Sequence, residues 1–388
     1  MSDLKEKLSS LFKNYLPELK RINEFIYHNP ELGNKEFKAC ALLSETLRNH
    51  GFEVTGNFSN IPTAFCGRYR FGKGGVKIAI LAEYDALPEI GHGCGHNSFA
   101  TTSIATALIL KDVLDTDGEI LIIGTPAEET CGAKVEMAKA GVFKNIDIAM
   151  AVHPTGECHK RSGTSQAMEA LQFTFKGKTA HAAGNPYDGI NALDGVIMLF
   201  NSINALRQQT REDARIHGII SKGGEAANII PDLAVANFYV RANSLAYLKE
   251  LIKKVKDCAK GAAIATGSQV FIENYETSFA DLVTNKKLSE TYEKNLKIQG
   301  VDYIVDSGSA GSTDMGDVSH CCPTIHPYFP LSKKSLIGHS RELAEATIHS
   351  EAYKGMEEAA VAMALTAMDI YRDADLLKEI KEEFYRIE

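Results

Sequence analysis

The first part of the chain alternates between apolar runs and amphipathic segments. Apolar runs typical of strands buried on both faces of a sheet occupy residues 76–81, 120–123 and 148–152. Residues 36–50 and 98–114 instead place their apolar positions at helical spacing, and Gly51 directly follows the first of these segments. Strands that alternate with helices pair in parallel, with the helices as crossovers. The pattern predicts an α/β domain with a mostly parallel central sheet that helices flank.

The middle of the chain has a different pattern. It reads strand, helix, strand, strand, helix, strand, over residues 171–175, 190–208, 215–221, 234–241, 245–266 and 269–275. This βαββαβ order is that of a ferredoxin-like unit. We therefore predict that a ferredoxin-like domain over 168–278 is inserted into a main domain formed by 1–167 and 279–388.

Composition and charge exclude several partners. The 388 residues carry a formal net charge of −8 without a lysine or arginine block, so we expect no nucleic-acid partner. We find no apolar run near the roughly 18 residues of a membrane span and no secretory signal, so we expect no membrane partner. The eight cysteines show no disulfide-scaffold spacing, which favours a reduced, cytoplasmic setting.

Chemically active side chains follow the predicted strands. Cys94 and His96 lie in the glycine-rich segment GHGCGHN, Glu128 and Glu129 follow the second strand, and His153 follows the third. Sites in open α/β sheets assemble at these strand ends. Thiolate, imidazole and carboxylate suit zinc-like ions, and one glutamate could hold the metal while the other takes a proton from water. The pattern favours a hydrolytic metal centre.

Each signal taken alone also fits a structural role. The Cys94–His96 segment is equally well explained as a glycine-rich loop with a buried cysteine. Glu128 and Glu129 together are also explained by a solvated acidic turn. A lone histidine such as His153 is more often packed than ligating.

Eight motifs in a fixed order give a more specific signal. They are NPELG with Glu36, YDALP (84–88), GHGCGHN (91–97), PAEE (126–129), VHP (152–154), GKTAHAA (177–183), NIIPD (228–232) and GSTD (311–314). By these motifs the chain resembles the dinuclear-metal aminoacylase, dipeptidase and carboxypeptidase family over nearly its whole length. The Cys-Gly-His form marks the amidohydrolase branch. Within that branch, the chain resembles the Xaa-Arg (β-alanyl-lysine) dipeptidases and p-aminobenzoyl-glutamate hydrolases at Glu83, Asn97 and residues 311–328.

The resemblance implies a set of site residues. The implied ligands of two divalent ions, Mn²⁺ or Zn²⁺, are Cys94, His96, Glu129, His153 and His339. His326 is the alternative to His339. We favour His339 because a serine follows it, as is typical of the family ligand. Glu128 is the implied general base and later acid. Asp85 is implied to shape the site from behind the ligands.

The resemblance also gives the inserted domain a role. It implies that residues 168–278, called the lid domain below, dimerise, while residues 1–167 and 279–388 form the catalytic domain. His181 is implied to polarise the scissile carbonyl from the neighbouring subunit. Asn228 and Arg241 are implied to hold substrate oxygens, although Arg241 fits a solvated charge equally well.

We therefore expect a metal-dependent homodimeric hydrolase that cleaves the amide bond of a dipeptide or N-acyl amino acid with a free carboxylate. One alternative is a cysteine amidase with Cys94 as nucleophile. Another is a catalytically silent relative that binds a metabolite, which the loss of a ligand or of Glu128 would indicate.

Overall fold

The computed structural model describes residues 2–308 and 311–387, which form two compact units. The first unit comprises Met1–Thr164, Leu282–Ser309 and Thr313–Glu388, and the second comprises Ser165–Asp281 with Ala310–Ser312. Within the described part of the chain, no helix is both long enough and apolar enough to cross a membrane.

The first unit begins with helices and strands in alternation. Its N-terminal helices are α1 (Ser2–His28), α2 (Phe37–Asn49), α3 (His96–Val113) and α4 (Ala133–Lys139). Its N-terminal strands are β1 (Glu53–Gly56), β2 (Phe65–Phe71), β3 (Lys77–Ala82), β4 (Gly118–Gly124), β5 (Ile148–Met150), β6 (His153–Thr155) and β7 (His159–Lys160).

The second unit has the order β8, α5, β9, β10, α6, β11. Its elements are β8 (Ala167–Lys176), α5 (Ala192–Leu206), β9 (Arg215–Lys222), β10 (Leu233–Ala242), α6 (Leu245–Thr266) and β11 (Gln269–Asn274). The predicted βαββαβ order is confirmed.

The chain then returns to the first unit. The remaining elements are α7 (Lys286–Ile298), β12 (Ile304–Val305), α8 (Met315–Ser319), β13 (Thr324–Ile325), β14 (Tyr328–Pro330), α9 (Arg341–Ala346), α10 (Ser350–Arg372) and α11 (Ala374–Ile387).

The central sheet of the first unit has the strand order β1-β2-β4-β3-β5-β13. The pairs β3–β4, β3–β5 and β5–β13 are parallel, as predicted. The pairs β1–β2 and β2–β4 are antiparallel, and no pattern in the sequence predicted β1 or β2. β2 exposes Arg68 and Arg70, so it lacks the continuous apolar run that identified its neighbours.

Alternation along β3 and β4 divides the buried side chains between two cores. Ile78, Ile80, Ile120 and Ile122 pack into one core with the apolar residues of α1, α3 and α10. Leu81 and the other residues of β3 and β4 that alternate with these isoleucines pack into a second core with α4 and α8. Helices therefore cover both faces of the sheet, which confirms the predicted α/β class.

The second unit is an antiparallel sheet with helices on one face. Its strand order is β11-β8-β10-β9, so β9 lies at an edge. Phe173, Phe175 and Phe238 pack in a core with α5 and α6. Both helices have side-chain N-caps: Asn191 accepts from the amide of Leu193, and Ser244 from that of Tyr247.

A small third sheet lies within the first unit and carries one predicted site residue. Its order is β12-β7-β14-β6. His153 is the first residue of β6 and pairs with Tyr328 of β14. The apolar run 148–152 predicts His153 at the end of the preceding strand, but the chain leaves the central sheet after Met150 and joins this third sheet.

Candidate metal centre

A tight glycine turn brings Cys94 and His96 to the start of α3. Gly95 has φ +80°, a left-handed conformation that favours glycine, and it directly precedes His96 in the first turn of the helix. The Gly93 carbonyl accepts a hydrogen bond from the His339 amide at 2.9 Å. A Cβ on Gly93 would lie only 3.2 Å from the Ser340 carbonyl oxygen, so the close approach of these two segments favours glycine there.

Buried carboxylates anchor the backbone that carries Glu128 and Glu129. Ala127 has φ +62°, and its amide donates to Glu36 Oε1 at 2.8 Å. The Glu129 amide donates to Asp85 Oδ2 at 2.9 Å. Because the backbone is held on both sides of Glu128, the main-chain positions of Glu128 and Glu129 are fixed in the segment that follows β4.

The structure brings the predicted ligand side chains together. Three groups of possible donor atoms lie within 4.8 Å of one another: Cys94 with His96 and His153, Cys94 with Glu129 and His339, and His96 with Glu128 and Glu129. Among the described residues, His339 belongs to one of these groups and His326 to none. The His326 ring lies 5.6 Å from the His153 ring, centroid to centroid.

Hydrogen bonds orient two of the imidazoles. Nδ1 of His96 lies 2.9 Å from Asp85 Oδ1, and Nδ1 of His153 lies 2.7 Å from the Pro154 carbonyl oxygen. This leaves Nε2 of each ring available as a ligand atom, an arrangement that is general in metal-binding histidines.

The available atoms fit a cation. Cys94 Sγ lies 3.4 Å from His153 Nε2, and Glu129 Oε1 lies 3.3 Å from His339 Nε2. His96 Nε2 and Glu129 Oε1 are buried and make no hydrogen bond. Because buried polar atoms that lack a hydrogen bond are costly, the convergence of these two atoms with the other donors is the structural sign of an ion site.

Burial sets the electrostatics of the centre. It raises the pKa of the Cys94 thiol to about 12. Burial, followed by repulsion from His326, lowers the pKa of His153 to about 3, which keeps that imidazole neutral and able to ligate. Burial, followed by the Glu83 and Asp314 carboxylates, raises the pKa of Glu128 well above its ordinary value.

Sequence reasoning missed a buried ion network next to this centre. Lys134 of α4 lies between Glu83 and Asp314, and all three side chains are at most 1 % exposed. Glu83 directly follows β3, closer to its strand than Glu128 is to β4, so the rule that selected residues after strands could have found it. Lys134 neither follows a strand nor belongs to one of the motifs, so in the sequence it resembles any other lysine of a helix.

The predicted substrate-binding residues lie in the second unit. His181 and Asn228 belong to two adjoining loops, where the Ala182 amide donates to the Asn228 carbonyl oxygen at 3.0 Å. Both side chains are exposed. Arg241, near the end of β10, donates to Ser312 Oγ at 3.0 Å, and its guanidinium lies 5.6 Å from the centroid of the Tyr239 ring.

Comparison with known proteins gives consistent matches. Residues 168–266 match the model of a peptidase dimerisation domain. The chain is 34% identical to the Xaa-Arg dipeptidase of Mus musculus, over 98% of this chain and 92% of the relative. It is 28% identical to one of the subunits of the p-aminobenzoyl-glutamate hydrolase of Escherichia coli K12, over 94% of this chain and 92% of the relative.

Solved structures share the fold. A dinuclear metal-binding peptidase of the M20 family from Bacillus subtilis superposes with a TM-score of 0.66 at 18% identity, over 91% of this chain and 99% of that one. An aminobenzoyl-glutamate utilization protein from Klebsiella pneumoniae superposes with a TM-score of 0.68 at 19% identity, over 89% of this chain and 98% of that one.

Proposed function

The chain belongs to the M20 family of metal-dependent peptidases, and on that premise we propose that it hydrolyses the amide bond of a dipeptide or N-acyl amino acid with a free carboxylate. The observation that carries the proposal is the convergence of thiol, imidazole and carboxylate donors beside the anchored Glu128. Because the mouse and human relatives are named Xaa-Arg dipeptidases, dipeptides that end in a basic residue are the first candidates.

Five side chains would hold two divalent ions, Mn²⁺ or Zn²⁺. They are Cys94, His96, Glu129, His153 and His339. When bound, such ions would polarise the scissile carbonyl and lower the pKa of an attacking water. Asp85 would hold His96 and the Glu129 backbone in place, since its two oxygens contact one of each.

Glu128 would move the proton. Its carboxyl lies beside the donor atoms of His96 and Glu129, within reach of a water held there. Its raised pKa suits a group that accepts a proton from that water and then delivers it to the leaving amine nitrogen.

The lid domain would bind and polarise the substrate. Nδ1 of His181 accepts hydrogen bonds from the Ala183 and Gly184 amides at 3.2 and 3.0 Å. Nδ1 therefore carries no proton, and a neutral His181 has its proton on Nε2 as a donor for a developing oxyanion. Arg241 and Asn228 would hold the substrate carboxylate and carbonyl oxygens.

We also propose a homodimer formed through the lid domain. The matched dimerisation model covers most of that domain. The edge strand β9 exposes Ile219 and Ile220, which are 64% and 44% exposed, beside backbone groups that another chain could pair with. A cytoplasmic location suits the site, because the Cys94 ligand has to remain reduced.

The cysteine-nucleophile alternative does not fit the Cys94 environment. A nucleophilic cysteine needs a lowered thiol pKa, whereas burial raises that of Cys94. The silent-relative alternative expects a missing ligand or a missing Glu128, and the chain retains all of these residues.

A metal-supplemented substrate screen tests the proposal. The purified chain is stripped with a chelator, reloaded with Mn²⁺ or Zn²⁺, and incubated with dipeptides that end in Arg, Lys or Glu and with N-acyl amino acids. We expect metal-dependent release of a free amino acid, measured by chromatography. Folded protein that hydrolyses none of these substrates with either metal would contradict the proposal.

A further inference from the structure

Glu83 is a buried carboxylate that the metal chemistry described so far does not use. It directly follows β3 and is 1% exposed. Neither of its oxygens makes a regular hydrogen bond. A charged group in such a place has to be compensated, by another charge or by a metal ion.

One side of the Glu83 carboxylate faces Lys134. Oε1 lies 2.7 Å from the Lys134 ammonium, which also lies 2.6 Å from Asp314 Oδ1. Asp314 Oδ2 accepts from the Lys134 amide at 3.2 Å, so two contacts hold the lysine in place. A single ammonium between two carboxylates leaves one negative charge uncompensated.

The other side of the carboxylate faces the metal centre. Glu83 Oε2 lies 3.2 Å from His96 Nε2, the ring nitrogen that is available as a ligand atom. The pairs Cys94–His153 and Glu129–His339 lie at 3.4 and 3.3 Å, similar separations between donor atoms. Donors that bind one ion at about 2.1 Å lie about 3.0–3.4 Å apart, so the Glu83–His96 spacing suits two ligands of the same ion. Glu83 lies outside the three donor groups found among the described residues, so it would contact the ion only on the His96 side of the centre.

We propose that Glu83 supplies a further carboxylate oxygen to the ion held by His96, with Lys134 and Asp314 fixing its position. The inference rests on the proposed function, because it requires the metal centre. A second glutamate besides Glu129 makes the donor set richer in oxygen. Carboxylates favour Mn²⁺ more than thiolate does, so Glu83 shifts the preference of the centre towards Mn²⁺.

A purely structural role makes a different prediction. If Glu83 only neutralised Lys134, its loss would change the stability of the metal-free protein and would alter the affinities for Mn²⁺ and Zn²⁺ to the same extent, through the changed charge beside the centre. Affinity for two different metals therefore separates the two roles.

The test compares Glu83→Gln with a matched control. The glutamine side chain keeps the shape of the glutamate, and Lys134 remains paired with Asp314, so we expect the variant to fold. Glu119→Gln is the control, because Glu119 is also buried and ion-paired, with Arg68 and Arg70, but it lies at the opposite end of β4 from Glu128. Dissociation constants for Mn²⁺ and Zn²⁺ are measured by competition with a chelator, and metal content by elemental analysis.

We expect E83Q to raise the Mn²⁺ dissociation constant at least about tenfold and the Zn²⁺ constant less, with E119Q close to wild type. Glu83→Asp, which keeps the charge, should retain more Mn²⁺ affinity than E83Q and provides a second variant. Unchanged Mn²⁺ and Zn²⁺ constants in E83Q would overturn the inference. Equal losses of affinity for the two metals in E83Q would overturn it too, as would equal losses in E83Q and E119Q.

Failure of the inference is distinguishable from failure of the proposed function. Wild-type protein that binds no divalent metal would contradict the proposed function itself. Wild-type protein that binds two ions and cleaves dipeptides, together with an E83Q variant of the same metal affinities, would contradict only the role of Glu83.

Discussion

Asp85 shows how one residue can organise a site without touching the reacting atoms. Its two oxygens contact His96 Nδ1 and the Glu129 amide, so it sets both the ring orientation of one proposed ligand and the backbone position of another. Glu36 acts in the same way on the Ala127 amide, on the other side of Glu128. The proposed role of Glu128 depends on this positioning. The roles proposed for Glu128 and Cys94 can both be tested by substitution.

Glu128→Gln should separate proton transfer from metal binding. The substitution keeps the side-chain shape but removes the basic oxygen, so we expect kcat to fall by about 10²–10⁴, the usual size of a general-base contribution. Metal content and folding should stay at wild-type levels, measured by elemental analysis and circular dichroism. Near-normal turnover in a variant that retains both ions would show that another group moves the proton.

Cys94→Ser should weaken metal binding without abolishing the chemistry. Serine is a poorer ligand than thiolate for zinc-like ions, so we expect lower metal occupancy and partial recovery of activity with excess metal. Occupancy and rate are measured across a metal titration. A covalent acyl intermediate trapped on Cys94 in the wild-type chain, detected by mass spectrometry, would instead support the cysteine-amidase alternative.

At the scale of elements, glycines mark where a helix approaches another part of the chain. Gly355 in α10 is buried against β14, and a Cβ there would overlap the Pro330 carbonyl oxygen. Gly261 in α6 is exposed, and a Cβ there would meet no atom within 4 Å. The two positions provide a matched pair for stability measurements.

Gly355→Ala should destabilise the first unit by about 1–3 kcal/mol, the usual cost of overpacking. Gly261→Ala should stabilise the second unit by about 0.5–1 kcal/mol, because alanine favours the helix and nothing obstructs it. Calorimetric unfolding of both variants measures the effects. Equal stabilisation in both variants would show that α10 accommodates the methyl group by moving away from β14.

The sequence predicted those elements whose pattern is local and uninterrupted. The bounds 245–266 predicted for α6 agree with Leu245–Thr266, because Ser244 and Gly267 end the apolar periodicity on both sides. β1 and β2 were missed, because a short edge strand and the alternating exposure of Arg68 and Arg70 give no continuous apolar run.

The candidate site was predictable where its residues follow strands or belong to motifs. Glu129 met both conditions, Cys94 and His96 belong to a motif, and the structure brings the three together. Lys134 met neither condition: its ammonium is buried only because Glu83 and Asp314, distant in sequence, converge on it. Such a network depends on tertiary packing, which a single sequence does not reveal.

At the scale of the whole molecule, the proposed mechanism needs residues from both units. The proposed metal ligands and Glu128 belong to the first unit, whereas His181 belongs to the second. The matched dimerisation model and the exposed apolar edge of β9 support a dimer in which the lid domains pair. Such a dimer could supply His181 to the active site of the partner subunit.

Mixing two inactive variants tests this sharing directly. A Glu128→Ala chain and a His181→Ala chain are each expected to have little activity alone. In a twofold-symmetric heterodimer with sharing between subunits, one active site receives Glu128 from one chain and His181 from the other, whereas the second site receives neither. If both residues act within one chain, each site of the heterodimer lacks one of them.

Each heterodimer has one complete site out of two, so sharing predicts roughly half of the wild-type activity per dimer in purified heterodimers, and roughly a quarter in the random mixture. The variants are exchanged by dilution and reconcentration, heterodimers are verified with two affinity tags, and activity is measured on the doubly purified fraction. Heterodimers that form but remain inactive would contradict sharing, as would full activity in a monomeric wild type. In either case the metal chemistry would be retained, because Glu128 and the proposed ligands lie in one unit, and His181 would have to act on its own chain.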